Sequence, residues 1–90
     1  MDFEKLNSEL YTKAGHYRFA KKPTDFDKGY LKISNWVNDL CFFYIQKRNK
    51  QDKIDEVEFN KFIEAQKEKI EALKPSSYRD GLLKAVDDIN

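Results

Sequence analysis

Residues 24–48 decide what this chain can fold into. Placed at 100° per residue, Tyr30, Ile33, Val37, Leu40, Cys41, Tyr44 and Ile45 fall on one broad face. Trp36 and Phe43 widen that face on one side, Leu31 and Phe42 on the other. Only a narrow strip of Lys32, Asn35, Asp39 and Gln46 stays polar. A surface helix carries an apolar stripe of roughly 100° and a polar remainder. Here the proportions are nearly reversed, so other helices or a second copy of the chain must cover this one on two or more sides. Its start is marked by Pro23 and by Thr24 with Asp27, a capping-box pattern. Its end is marked by Arg48-Asn49-Lys50, where cations suit the negative end of the helix dipole. Gly29 costs the first turn about 1 kcal/mol relative to Ala. Either a close backbone crossing or fraying accounts for it.

The flanking segments are shorter rods. Phe3, Leu6, Leu10, Ala14 and Tyr17 form one stripe, predicting a helix over about 2–20 that closes at Lys21-Lys22-Pro23, because Pro disfavours a helical residue before it. Asn49 to Lys53 reads as a polar loop. A third helix over about 55–74 opens with Asp55 as cap, Glu58 three residues on, and Ile54 placed to staple Phe59. Its inner face holds Phe59, Phe62, Ile63, Gln66, Ile70 and Leu73; Lys61, Glu64, Lys67, Glu68 and Glu71 form a solvated outer face. Pro75 stops it. A fourth helix over 77–89 carries Tyr78, Leu82, Ala85, Val86 and Ile89, with Leu83 beside them, and is short enough that it must dock on the others. No segment alternates with period two for long enough to make a strand. The chain is thus predicted to be all-α, one helical domain over 1–90. The expected architecture is a small antiparallel bundle of four helices, or three plus a short C-terminal helix, around the central helix 24–48.

Composition narrows the function classes. Ninety residues lie near the lower end of what folds on one core. Thirteen aromatic residues can fill that core economically, each burying roughly 150–250 Å². One Cys forms no internal disulfide, and one His with one Cys makes no metal cluster. The glycines at 15, 29 and 81 are too scattered for a phosphate loop. His16 falls on a polar face, Cys41 on a core face, and Asp39 beside Asn35 in the solvent-facing strip. No catalytic residue, cofactor or metal is expected, and the chain does not read as an enzyme. There is no apolar run near 18 residues and no signal-peptide pattern, which predicts a cytoplasmic protein without a membrane span. The excess of Lys over Arg, with abundant Asn, Ile, Phe and Tyr, is the bias of AT-rich genomes, phages and mobile elements included.

What remains is surplus aromatic surface. Trp36, Phe42 and Phe43 flank the central helix, while Tyr11, Phe19 and Phe26 fall off the main stripes. A bundle this small also has use for Trp36 inside. Contiguous exposed aromatics mark partner sites. They predict a small non-catalytic protein-binding module, an adaptor, subunit or inhibitor of the kind phages and mobile elements carry; homodimerisation would bury the same surface. The alternative is a small nucleic-acid-binding protein using the basic, aromatic turn Arg18–Lys28. There Arg18, Lys21, Lys22 and Lys28 interleave with rings, and Lys74 and Arg79 share that end of an antiparallel bundle. Against it stand the net charge of only +1, a second basic group at Lys47, Arg48, Lys50 and Lys53, and the diluting Asp25, Asp27 and Asp80. The second interhelical turn is also long for a helix-turn-helix.

Overall fold

A computed structural model of the chain describes residues 2–50 and 56–89. Four helices and no strand occur among them: α1 (Phe3–Arg18), α2 (Asp25–Asn49), α3 (Glu56–Glu71) and α4 (Ser77–Ile89). The expected Asp55 cap and Ile54 staple lie outside the described residues. Two starts follow the local chemistry. Thr24 and Asp27 form both halves of the capping box, and Asp2 caps α1 by accepting from the Lys5 amide. Two ends come early. α1 stops at Arg18 rather than near residue 20, and α3 stops at Glu71, three residues short of Lys74. There the Leu73 amide turns back to the Ile70 carbonyl, tightening the last turn ahead of Pro75.

α2 is the axis. Tyr30, Ile33, Val37, Cys41 and Tyr44 are fully buried along it. α1 runs antiparallel to it: Phe3 stacks on Tyr44 at 5.2 Å and Tyr17 on Tyr30 at 4.1 Å, one pair at each end. α3 is antiparallel as well, with Phe59 against Tyr44 at 5.7 Å and Ile70 sharing a groove with Ile33. α4 closes the end where α1 stops, α2 starts and α3 stops. Arg79 in its first turn donates to the carbonyls of Ile70 and Glu71, the orphan acceptors at the end of α3.

The α2–α4 contact is made by backbone. A Cβ on Gly29 would strike the Tyr78 carbonyl, and one on Gly81 would strike the Phe26 carbonyl. The two glycines are therefore halves of one close crossing, and fraying does not explain Gly29.

Each buried tyrosine of α2 also needs a partner for its hydroxyl. Tyr30 donates to Asp88 of α4 at 2.7 Å and Tyr44 to Glu58 of α3 at 2.8 Å. Arg48 pairs with Glu4, tying α2 to α1. In α3 the expected inner face is narrower than its stripe. Phe59, Ile63 and Ile70 are buried, but Phe62 stays exposed because α2 does not close on that flank, and Leu73 stays exposed past the helix's end at Glu71. Among the described residues no Cα of α3 lies within 8 Å of one of α2.

Candidate functional site

The polar strip of α2 faces solvent as its spacing requires: Lys32, Asn35, Asp39 and Gln46 are all exposed. Phe42 and Phe43 stand on its two edges, 57% and 51% exposed. Consecutive residues on a helix point about 100° apart, so these two rings serve different surfaces.

Phe42 belongs to a cleft between α1 and α2 of about 510 Å³. Tyr11, 56% exposed, also lines it. Arg18 lies over the Tyr11 ring at 4.4 Å and donates from Nη2 to Asn35 Oδ1 at 3.4 Å. Asn7, Asn38 and Asp39 complete the lining. Four side-chain polar atoms in the described chain are buried without a hydrogen-bond partner, and three of them sit on residues of this cleft: Asn7 Oδ1, Asn38 Oδ1 and Arg18 Nη1. Such orphans are few in folded proteins, and each costs roughly 1–3 kcal/mol. These three atoms are enclosed beneath the cleft, and what it presents outward is two aromatic rings beside the exposed Asn35 and Asp39. A peptide unit, with an N–H, a C=O and apolar side chains, matches that surface. Asp39 opposes a bare anion such as phosphate.

The other sequence candidates are dispersed. Trp36 is half-buried against the core and lines a groove with α3 and α4. Phe26 is half-buried, its ring 5.9 Å from Tyr17. Phe19, 79% exposed, stands in the α1–α2 turn next to exposed Lys21 and Lys22. Lys28 and Lys74 are exposed, while Arg79 is engaged with the end of α3. Periodicity alone missed Asn7, Asn35 and Asn38. A signal was present, since Asn is a poor interior helix residue and three of them on facing edges of two helices ask for a reason.

Cys41 is buried in the core, where desolvation pushes its thiol up to about 11. His16 is exposed, edge-on to Tyr17. Among the described residues no three His, Cys, Asp or Glu side chains are grouped to hold a metal, and no helix is long and apolar enough to cross a membrane. The chain matches no protein-family profile, no curated protein and no solved structure.

Proposed function

We propose that the protein is a non-catalytic protein-binding module of the cytoplasm, an adaptor, subunit or inhibitor, that docks another protein in the α1–α2 cleft. The observation that supports this reading is that the Tyr11 and Phe42 rings, each more than half exposed, share one cleft with the exposed Asn35 and Asp39. The two rings supply apolar anchoring of the kind hot spots use, and the exposed Asn35 and Asp39 supply polar groups beside them for a partner's backbone.

The test is affinity capture from the native cell with the wild-type chain and with Tyr11→Ala and Phe42→Ala, followed by a Kd for the purified partner. Each substitution should weaken binding by about tenfold or more, roughly 1.4 kcal/mol, with helicity unchanged. Equal binding by all three proteins would sink the reading.

The nucleic-acid alternative keeps one supporting observation: Arg18 on Tyr11 adjoins exposed Phe19, Lys21 and Lys22. Mobility shifts with oligonucleotides over a salt series decide it, because phosphate contacts fail steeply as salt rises. A salt-sensitive shift abolished by replacing Lys21 and Lys22 would put that alternative in place of the protein-binding reading.

A further inference from the structure

The opposite edge of α2 carries a second surface that does not depend on the cleft. Ile33 and Trp36 of α2, Ile70 of α3, Leu73 just past its end, and Leu82 of α4 line a groove of about 430 Å³. Its charged lining residues are Lys32 on one wall and Lys69 on the other, and no carboxylate lines it. Seven residues on from Trp36, or about 10 Å along the same edge, lies the half-exposed Phe43 ring. Lys47 Nζ sits 5.3 Å from that ring, and Lys50 lines the same hollow. Glu58 of α3 accepts from Tyr44.

The groove exists because α3 stands off from α2. Helices in ordinary contact have axes 8–10 Å apart, which brings some Cα atoms within 8 Å of each other; these two have none so close. At one end the rings of Phe3, Tyr44 and Phe59 fill the gap. At the other, the side chains of Ile33 and Ile70 lie at its base, with exposed Leu73 at its edge. An all-helical wall offers no strand edge for an extended peptide to join. Its shape and its apolar lining suit a rod, and its lysines on both walls suit acidic flanks.

We propose that the α2–α3 groove receives an acidic amphipathic helix from a partner protein. The partner's apolar residues lie on Trp36 and Leu73 and its carboxylates meet Lys32 and Lys69. The spacing from Trp36 to Phe43 corresponds to two turns, so anchors at i, i+4 and i+7 of the incoming helix meet both rings.

Trp36 is the only tryptophan in the chain, so its fluorescence reads the groove directly. The probe is a tryptophan-free helical peptide of about five turns, with leucine at i, i+4, i+7 and i+11 and glutamate on both flanks. Its control has lysine in place of every glutamate. The acidic peptide should shift Trp36 emission to the blue in a saturable way and bind at least about tenfold more tightly than the control at low salt. Lys32→Glu combined with Lys69→Glu should reverse that order while circular dichroism stays unchanged. Tyr11→Ala and Phe42→Ala should leave it intact, which separates this surface from the α1–α2 cleft. Equal affinity for the two peptides overturns the proposal, as does the absence of any shift up to about millimolar peptide, the weak end of specific binding. Sedimentation showing a dimer whose Trp36 emission moves to the red on dilution also overturns it, because the groove would then hold a second copy of this chain.

Discussion

Ser34 lies fully buried in the middle of α2, and its hydroxyl finds no hydrogen-bond partner. Replacing it with Ala removes an unpaired polar atom from the core and substitutes a better helix former. Ser34→Ala should therefore stabilise the protein by about 1 kcal/mol and raise Tm by roughly 4–8 °C. A lower Tm would mean that the hydroxyl does structural work. Unlike the residues of the α1–α2 cleft, Ser34 is fully enclosed in the core. Cys41 gives a second residue-scale prediction. Desolvation alone holds its thiol near 11, so the reactive thiolate is negligible at neutral pH. Labelling by a thiol reagent at pH 7.5 should proceed only as fast as the chain unfolds and should accelerate with added urea. Labelling at the rate of a free thiol in the native protein would contradict the burial.

At the scale of the element, the three glycines separate cleanly. A Cβ on Gly15 meets nothing within 4 Å, so Gly15→Ala should gain about 0.5–1 kcal/mol from reduced chain entropy and better helix propensity. Gly29→Ala and Gly81→Ala would each drive a methyl into a carbonyl of the facing helix and should cost about 1–3 kcal/mol or more. The double substitution should cost less than the sum, since both act on one crossing. Urea melts of the four variants test the set, and full additivity would argue against a shared contact. The sequence carried only part of this. Helical period and caps made α1, α2 and α4 legible, and Gly29 stood out as a local cost. Its pairing with Gly81 was hidden, because two residues so far apart in sequence meet only in the folded chain. Phe62 sits on the right stripe of α3 but stays exposed, because a stripe records which face is apolar and not how closely the neighbour approaches; Leu73 falls past the helix's early end. The tyrosine–carboxylate bonds were hidden for a related reason. Glu58 reads from the sequence as part of the cap of its own helix and Asp88 has no role there, and it is the reach of a tyrosine from the facing helix that brings them into use.

For the whole molecule, its extents of 42 × 29 × 16 Å describe a slab, and a slab leaves the outer strip of α2 bare with one surface on either side of it. Besides the glycine crossing, a polar network ties α4 to α2: Tyr30 donates to Asp88, and Lys84 donates to the other oxygen of the same carboxylate at 3.1 Å. Burial pushes the Asp88 carboxyl up, but the hydrogen bonds from Tyr30 and Lys84 and the charges of Lys84 and Lys13 outweigh it, so its pKa lies below the ordinary carboxylate value. A depressed carboxylate stabilises the fold in full above its unfolded pKa of about 3.9, and that stability is lost as pH falls through the folded value. Tyr30 behaves in the opposite sense. Burial first, then the bond to Asp88 and its charge, raise the phenol well above its ordinary value. Its contribution is present in full below about pH 10 and disappears as pH rises through the folded value. The pair thus predicts a stability plateau between about pH 4 and pH 10, with an acid limb that belongs to Asp88 and an alkaline limb that belongs to Tyr30. Asp88→Asn keeps an acceptor for the tyrosine while removing the charge, so it should lower stability at pH 7 by about 1 kcal/mol and flatten the acid limb. Tyr30→Phe should flatten the alkaline limb and shrink the acid limb as well, since the tyrosine's hydrogen bond is the foremost of the effects that lower the Asp88 pKa and Lys84 supplies only the rest. Urea unfolding across the pH range measures both. Acid limbs that run parallel in the wild type and in Asp88→Asn would show that other carboxylates, and not this junction of α2 with α4, set the acid stability of the fold.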